Sequence, residues 1–390
     1  MQAQRIAEGL YAVGAINPTL RVFDIIMPTA YGTTYNAYLL TGEKNVLIET
    51  VHADYAGAYL EKIASVLPVS AIDYVILNHT EPDHAGSLGA LLDRAPNATV
   101  IGSAAAVKNL GQMLNRPFPS RAVKTGDTLP LGDKTLHFYS APNLHWPDSM
   151  FTWCPENQTL FTCDFLGAHY CEDALLDKDQ RHPDYYRQSF LSYYGAIFSP
   201  FKRFVLAGLA IIDGLPGLAR VCPSHGPILT ETIPAAMAQY RALSTETRQG
   251  ARAAVVYVSA YGYTRALAQA AREALEEEGV ETYMADLVSG AADMETIGQA
   301  DLLLFGSPTI NRSALKPILD VLSAVDAVNT SCKKAAAFGS FGWSGEAVPM
   351  LTRRLAELKY KTMDGFAVTF APTETDLANM KAFVTALIHL

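Results

Sequence analysis

Residues 75–86 read VILNHTEPDHAG, an apolar run that passes directly into a loop crowded with polar side chains. The apolar residues 74–77 predict a strand, and the proline at position 82 restricts the loop that follows. This short loop supplies four side chains with metal-binding nitrogen or oxygen atoms: His79, Glu81, Asp83 and His84. For any one of them alone, a solvated surface side chain is the alternative interpretation. The four together, next to an apolar strand, favour a rigid and partly buried metal site.

Three further potential ligands lie downstream, each in a separate stretch. His145 stands in LHWPD at 144–148, Asp164 follows an apolar run, and His225 stands in PSHGP at 223–227. Singly, each has an ordinary structural interpretation, because histidines often pack in cores and an aspartate after a strand often caps a helix or turn. We therefore treat them as candidates that depend on the loop at 79–84.

The H-x-E-x-D-H run with its downstream His, Asp and His resembles the metallo-β-lactamase fold, and more closely the flavodiiron proteins. Lactamase-type zinc hydrolases usually have histidine where this chain has Glu81. A carboxylate is a harder, anionic donor and suits iron better than a neutral imidazole does. The resemblance implies one iron held by His79, Glu81 and His145, a second by Asp83, His84 and His225, and Asp164 bridging both. His84 is the least secure ligand, since a water replaces it in some members.

The chain has 390 residues and its pattern changes near residue 250. Before that point, strand-like runs alternate with helical patterns and polar loops, as in an α/β sandwich. After it, five strands alternate with helices, the rhythm of a doubly wound parallel sheet. We predict an α/β protein with a metallo-β-lactamase-like αββα sandwich at residues 1–248, carrying the diiron site. The resemblance to flavodiiron proteins implies that residues 249–390 form a flavodoxin-like, five-stranded parallel sheet that binds FMN.

Three loops of the second half follow predicted strands: SAYGYT at 259–264, GSPTIN at 306–311 and SFGWSGEA at 340–347. The first leads into a helix, and a hydroxyl-rich loop before a helix N-terminus attracts phosphate, although a simple N-cap by Thr264 is the alternative. The loops resemble the flavodoxin family in its flavodiiron branch, which implies bound FMN. Trp343 either borders the flavin or packs as a surface aromatic. The implied FMN contacts are Ser259, Tyr261, Gly262, Tyr263, Thr264, Ser307, Pro308, Thr309, Asn311, Ser340, Phe341, Gly342, Trp343, Ser344 and Gly345.

Because the resemblance covers nearly the whole chain, it implies an oxidoreductase with FMN and two non-haem iron ions as cofactors. Electrons from an external donor would pass through FMN to the irons, which reduce O2 to water, NO to N2O, or both. Tyr193 and Tyr194 resemble a family segment near the irons and could donate a hydrogen bond there. Aromatic packing on a helix is the alternative for each.

The resemblance also implies partners. In the family, the FMN of a subunit lies far from its own irons, so we expect a head-to-tail homodimer or a dimer of dimers. The sequence has no strand followed by G-x-G-x-x-G and no C-x-x-C, so the donor is external: a rubredoxin-like protein or reduced F420. Family members differ around residues 23–24 and 29–34, but these differences decide neither the donor nor the preference for O2 or NO.

The composition disfavours some classes of partner and location. The formal net charge of −9 disfavours nucleic acid and anionic membranes as partners. The N-terminus lacks a secretory signal, and we expect no apolar run close to the roughly 20 residues that span a bilayer. The odd number of cysteines fits a reducing compartment, so we predict a cytoplasmic location. The five cysteines are Cys154, Cys163, Cys171, Cys222 and Cys332.

Two other functions remain open on the sequence. One is a zinc-dependent hydrolase of the lactamase superfamily with a flavodoxin appendage, against which Glu81 and the flavin loops both argue. The other is a non-enzymatic electron carrier with a degenerate metal site, which would require missing ligands, whereas all seven positions are filled.

Overall fold

The computed structural model describes residues 2–245, 250–325 and 333–390. The chain forms two compact units, Met1–Glu246 and Thr247–Leu390. The predicted boundary between residues 248 and 249 lies outside the described residues, as does Cys332, so the boundary itself stays a prediction.

Unit 1 contains many strands of only two to six residues, together with helices that cover its sheets. Its strands are β1 Gln4–Ala7, β2 Leu10–Ala12, β3 Ala15–Asn17, β4 Val22–Phe23, β5 Met27–Pro28, β6 Thr33–Tyr35, β7 Tyr38–Leu40, β8 Val46–Ile48, β9 Tyr74–Ile76, β10 Thr99–Gly102, β11 Ser120–Ala122, β12 Thr128–Pro130, β13 Thr135–Ser140, β14 Met150–Cys154, β15 Thr159–Cys163 and β16 Arg220–Pro223. Its α-helices are α1 Ala56–Ala64, α2 Pro82–Ala85, α3 Leu88–Arg94, α4 Ala104–Leu114, α5 Pro183–Tyr193, α6 Lys202–Asp213 and α7 Ile233–Ser244.

Two sheets organise this unit. The larger has the order β1-β2-β7-β8-β9-β10-β11, and the smaller has the order β12-β13-β14-β15-β16. Buried apolar side chains from both sheets, such as Ile48 and Ile76 on one and Phe138 and Phe161 on the other, form one cluster. Two more clusters join the outer faces to helices, one with α1, α3 and α4 and the other with α5, α6 and α7. The predicted αββα sandwich is therefore confirmed.

The helical stretch 183–213 corrects one expectation. It joins α5, a π-helical turn at Tyr194–Phe198, a short 3-10 turn and α6. By its length and its apolar composition alone, this stretch could cross a membrane. Its side chains Phe198, Val205 and Leu209 belong to the core cluster of unit 1, and core helices of soluble proteins pass the same test. The stretch is weak evidence for a membrane span, and the cytoplasmic location stays a prediction.

Unit 2 is a parallel sheet with the order β18-β17-β19-β20, completed beyond β20 by two short strands. Its strands are β17 Arg252–Tyr257, β18 Glu281–Asp286, β19 Leu302–Gly306, β20 Lys334–Phe341, β21 Lys361–Thr362 and β22 Phe366–Thr369. Its helices are α8 Tyr263–Glu277, α9 Met294–Gln299, α10 Lys316–Ala324, α11 Ala347–Glu357 and α12 Glu374–Ile388. Helices α8 and α12 cover one face, and α9, α10 and α11 cover the other. The doubly wound sheet is confirmed, except that its fifth position is divided between β21 and β22, which both pair with β20.

Candidate metal centre and flavin site

The metal-binding candidates of unit 1 all follow strands or border them. The loop after β9 carries His79 and Glu81, and Pro82 begins the single-turn helix α2 at the position where a missing backbone N–H costs least. Glu81 is extended, as the residue before a proline is expected to be. Because β15 and β16 are parallel neighbours, the residues that follow them, Asp164 and His225, lie at the same edge of the sheet.

The first ligand group consists of two imidazoles and two carboxylates. The Nε2 atoms of His79 and His145 lie 3.3 Å and 3.1 Å from Glu81 Oε2. The same two nitrogens lie 3.8 Å and 3.7 Å from Asp164 Oδ2. These four potential ligand atoms all lie within 4.8 Å of one another, close enough to hold one metal ion.

The second ligand group faces the other oxygen of the same aspartate. His84 Nε2 and His225 Nε2 lie 3.1 Å and 3.5 Å from Asp164 Oδ1. Asp83 completes the group, with its Oδ1 3.3 Å from His84 Nε2 and its Oδ2 3.0 Å from His225 Nε2. The structure thus brings all seven candidates together, and Asp164 turns one oxygen toward each group.

The orientation of these side chains fits metal ions better than it fits hydrogen bonding. Both carboxylate oxygens of Asp83 and both ring nitrogens of His84 are buried, and within the described residues none of them makes a hydrogen bond. Burial lowers the pKa of His84, but the neighbouring carboxylates, Asp83 first, raise it well above its usual value. Buried polar atoms without partners are costly. A cation between them removes that cost, and three carboxylates among seven ligands suit iron.

Outer hydrogen bonds hold two of the histidines. The Nδ1 atom of His79 lies 3.2 Å from both oxygens of Asp148, and the Nδ1 atom of His225 donates to the Thr34 carbonyl at 2.5 Å. Such partners fix the ring orientation of metal-binding histidines. The sequence analysis missed both partners. The position of Asp148, three residues after His145, is a usable signal, whereas a backbone carbonyl leaves no trace in the sequence.

The hydroxyl groups of the two candidate tyrosines have different hydrogen-bond partners. Tyr193 is the last residue of α5, and its hydroxyl donates to Asp164 Oδ1 at 2.9 Å. Tyr194 begins the π-helical turn, and its hydroxyl bonds the Ser244 hydroxyl at 2.8 Å. Only Tyr193 therefore reaches the ligand cluster, and the prediction for Tyr194 finds no support in its contacts.

A β-hairpin brings one further acidic residue to this region. Asp24 lies at the tip of the β4–β5 hairpin, where both Asp24 and Ile25 have positive φ angles. Burial, followed by the nearby carboxylates of Glu81 and Asp83, raises the pKa of Asp24. The sequence analysis noted this segment and gave it no role.

The flavin candidates of unit 2 lie in loops at the carboxyl ends of three adjacent parallel strands, β17, β19 and β20. Gly262 caps α8 with a φ of +86°, and Ser259 Oγ accepts the N–H groups of Gly262 and Arg265 at 3.1 Å and 3.2 Å. Thr264 joins the first loop to the third through its hydroxyl, which lies 3.2 Å from Ser340 Oγ. The start of this 15-residue helix is a favourable place for a phosphate group.

The second loop is held by its own hydroxyl groups. Ser307 Oγ accepts the N–H of Leu315 at 3.0 Å, and Thr309 Oγ1 accepts that of Ala347 at 3.1 Å. These two hydroxyls shape the loop in this structure. The other candidates stand in the same three loops or at the start of α8: Tyr263, Pro308, Asn311, Phe341, Gly342, Ser344 and Gly345.

Two large aromatic side chains of these loops are exposed. Tyr261 is 83% exposed and Trp343 is 89% exposed, with the Arg312 guanidinium 5.8 Å from the Trp343 ring centroid. Exposed aromatic rings beside an anion-binding helix terminus match a ligand with a planar ring and a phosphate. The residues of this edge therefore fit FMN.

Comparison with known proteins identifies the family. Residues 33–226 match the ODP family beta lactamase model, and residues 255–382 match the flavodoxin model. The flavo-diiron protein FprA2 of Clostridium acetobutylicum is 47% identical over 395 residues, covering 98% of each chain. This chain is a flavodiiron protein. The type A flavoprotein of Rhodobacter capsulatus is 38% identical, covering 97% of this chain and 89% of that protein.

Solved structures of flavodiiron proteins share the fold over the whole chain. The rubredoxin oxygen:oxidoreductase of Desulfovibrio gigas superposes with a TM-score of 0.71 at 29% identity, covering 100% of this chain and 98% of that one. The flavodiiron protein of Giardia intestinalis gives 0.68 at 28% identity, covering 99% and 96%. As a flavodiiron protein, the chain is an oxidoreductase with FMN and a non-haem diiron centre as cofactors. The hydrolase and electron-carrier alternatives are not favoured.

Proposed function

We propose that this flavodiiron protein takes electrons from an external donor and reduces O2 to water, NO to N2O and water, or both. The observation that carries the proposal is the orientation of Asp164, whose two oxygens face two separate ligand groups. One carboxylate shared by two groups can hold two metal ions next to each other, and adjacent metals can hold two oxygen atoms or two NO molecules together.

We assign His79, Glu81 and His145 to one iron and Asp83, His84 and His225 to the other. The distances within each group, and the lack of other partners for Asp83 and His84 in the described residues, support this assignment. When bound, the irons and FMN supply the stored electrons and the open coordination positions.

Access to the centre runs past the least buried ligands. The His145 and Glu81 side chains are 18% and 16% exposed, whereas the other five ligand side chains are at most 5% exposed. Trp146 borders the same side, with its ring centroid 5.0 Å from that of His79. We infer that a small uncharged substrate approaches the centre from this side.

Tyr193 is placed to act on Asp164, the carboxylate that would hold both irons. Its hydroxyl donates to Asp164 Oδ1, the oxygen that faces the Asp83 group. The hydrogen bond orients the carboxylate and withdraws charge from it. We therefore place Tyr193 in the catalytic machinery and leave Tyr194 outside it.

The finer features of the electron path also belong to the proposal. The FMN would lie on the loops after β17, β19 and β20, with its phosphate at the start of α8. Its electrons would come from a rubredoxin-like protein or reduced F420. A head-to-tail homodimer, or a dimer of dimers, would place the FMN of one chain beside the irons of another.

Stopped-flow mixing tests the proposal directly. Anaerobically reduced protein, loaded with iron and FMN, is mixed with O2 and separately with NO, and absorbance follows the oxidation of both cofactors. Oxidation much faster than that of free reduced FMN by at least one gas is the expected result. A slow response to both gases contradicts the proposal. Activity that stays proportional to enzyme concentration after dilution to a verified monomer contradicts the dimer.

A further inference from the structure

A third set of potential ligand atoms lies at the metal centre, and it includes a sulfur. The Sγ atom of Cys163, a ring nitrogen of His84 and a carboxylate oxygen of Asp164 all lie within 4.8 Å of one another. All three side chains are buried, and Cys163 Sγ lies 3.8 Å from Asp164 Oδ2. The seven ligands assigned above offer only nitrogen and oxygen, so Cys163 adds a different kind of donor atom.

The backbone explains how two consecutive residues reach the same centre. Successive side chains of a strand point to opposite faces, so Cys163, the last residue of β15, and Asp164 would diverge if the chain stayed extended. Cys163 instead has a φ of +51°, and the pairing of β15 with β16 shifts its register beside it. A left-handed conformation costs about 1–2 kcal/mol for a residue with a side chain. This turn places the thiol and the carboxylate close enough to share one cation.

A serine hydroxyl contacts the sulfur. Ser224 Oγ donates to Cys163 Sγ at 3.4 Å, and the Ser224 N–H donates to the Cys163 carbonyl at 2.7 Å. Ser224 is buried, so water does not compete for these bonds. A hydroxyl that donates to a sulfur stabilises negative charge on it, as outer hydrogen bonds do for other metal ligands. The sulfur therefore has the support that a metal-bound thiolate needs.

His84 is the independent sign that a cation belongs beside the sulfur. Its side chain is buried, and both of its ring nitrogens lack hydrogen-bond partners among the described residues. A cation held with Asp83 and His225 supplies the missing partner, and so does a cation held with Cys163 and Asp164. Because His84 belongs to both sets, the two sets are alternatives for one metal position. The first offers nitrogen and hard oxygen donors, and the second adds a soft sulfur.

We propose that His84, Cys163 and Asp164 form an alternative ligand set for the second metal position, which takes a thiophilic divalent cation such as zinc in place of iron. Thiolate is a soft donor that selects zinc, and zinc is commonly held by three protein side chains with a fourth position open. When zinc binds, the S–H bond breaks, the sulfur–zinc bond forms and the proton goes to solvent. No electron is transferred. The thiolate and the carboxylate together balance the two charges of the cation, which makes its burial less costly.

Zinc at this position would make the centre unable to react. A zinc ion has no redox chemistry, so a chain that holds it lacks one of the two adjacent irons that the proposed function requires. The inference rests on the ligand assignment of that function and adds a form of regulation to it. Activity would then follow the ratio of iron to zinc available when the protein is loaded, and Cys163 would set how strongly zinc competes.

Cobalt(II), a spectroscopic substitute for zinc, tests the sulfur ligand directly, because a thiolate bound to it gives an intense near-ultraviolet charge-transfer band. Iron is removed from the full-length protein with FMN left in place, and cobalt(II) is added anaerobically while difference spectra are recorded. In wild type we expect the band to appear and excess zinc to abolish it. Cys163→Ser should bind cobalt(II) without the band. Cys222→Ser, which replaces another buried cysteine, should retain it.

Metal competition tests the consequence. Chelator competition should show that the zinc affinity of one position falls by roughly tenfold or more in Cys163→Ser, at least the effect of losing an outer partner of a ligand. Retention of iron should be unchanged in this variant, because the iron ligands are all present. Iron-loaded wild type incubated with excess zinc should lose one iron per chain by elemental analysis. Cys163→Ser should lose several-fold less.

The possible outcomes separate this inference from the proposed function. Wild type that binds two irons but gives no sulfur-to-cobalt band, or the same band in Cys163→Ser, overturns the sulfur ligand alone. Cadmium NMR of wild type reaches the same decision if the variant does not fold, because a thiolate ligand moves the cadmium signal far downfield of nitrogen and oxygen ligands. Wild type that binds only one iron per chain overturns the two-iron assignment, and this inference with it.

Discussion

The Nδ1 atom of His79 lies 3.2 Å from both carboxylate oxygens of Asp148, on the side of the ring away from the metal centre. Asp148 Oδ2 also accepts the backbone N–H and the hydroxyl of Thr80, at 2.8 Å and 2.7 Å. Asn109 of helix α4 donates to the same Thr80 hydroxyl at 3.0 Å. The orientation of His79 is therefore set by a network that ends on a regular helix, and Asp148 is its centre.

Replacing the Asp148 carboxylate should lower the metal affinity of the ligand group that contains His79. Asp148→Asn keeps the size of the side chain but removes its charge and one acceptor oxygen, so the network around His79 weakens and the ring loses the carboxylate that increases its basicity. Outer partners of this kind typically contribute about 10–100-fold to metal affinity. Chelator competition followed by iron analysis should show early loss of one iron per chain. The exposed Asp93→Asn is the control, and unchanged retention of both irons in Asp148→Asn would contradict the role.

The candidate ligands could be predicted from the sequence because each is a metal-binding residue type in a loop that follows or borders an apolar strand. Their outer partners could not. Asp148 is an ordinary loop aspartate until the fold brings it beneath His79, and the Thr34 carbonyl belongs to a backbone that every residue has. The strands before residue 41 were not predicted, because segments of two to four residues are too short to show a period.

Glu81 should decide which metal the first group prefers. Its Oε2 lies close to both imidazoles of that group, so Glu81→His replaces the hard anionic donor with a third imidazole. We expect the purified variant to contain more zinc and less iron than wild type. Elemental analysis after growth in the same medium measures the ratio, with the exposed Glu278→His as control. An unchanged iron content would show that the carboxylate does not select the metal.

The two neighbouring tyrosines should respond differently to loss of the hydroxyl group. Tyr193→Phe removes a hydrogen bond to a charged carboxylate, which is typically worth about 1.5–3 kcal/mol, so kcat should fall roughly 10–100-fold. Tyr194→Phe removes only the bond to Ser244 and should cost about 1 kcal/mol of stability with little change in kcat. Donor-saturated turnover and urea unfolding of both variants make the comparison. Equal losses of kcat in the two variants would contradict the different roles assigned to Tyr193 and Tyr194.

Glu49 makes the stability of the metal-free protein depend on pH. Burial raises the pKa of this carboxyl group to about 7, and its Oε1 accepts the N–H of Asn78 at 3.1 Å. Because the folded pKa exceeds the unfolded one, the stabilisation is complete below pH 4.5 and is lost as the pH rises through 7. Across this pH range the contribution of Glu49 to the free energy of unfolding falls by about 3 kcal/mol. Chemical unfolding from pH 5 to pH 8 should show a decline that is steeper in wild type than in Glu49→Gln by about this amount.

Unit 2 was easier to predict than unit 1 because its strands and helices alternate regularly and its central strands are mostly apolar. Strand β19, LLLFG, is buried along its whole length, and α8 follows β17 after a short loop. The divided fifth strand escaped prediction because β21 has only two residues. The contacts of the loops could not be predicted either: the Ser307 and Thr309 hydroxyls accept from backbone N–H groups 8 and 38 residues further along the chain.

Gly262 tests whether the start of α8 is the phosphate site. Its φ of +86° strains any residue with a side chain, and a Cβ there would meet no atom within 4 Å. The cost of Gly262→Ala is therefore conformational, about 1–2 kcal/mol, and relief of that strain reorients the N–H groups at the helix start. We expect weaker FMN binding by flavin-free protein, measured by quenching of flavin fluorescence. Gly290→Ala, which also meets no atom but has no positive φ, is the control. If Gly262→Ala lowers stability while FMN affinity stays unchanged, the phosphate binds elsewhere.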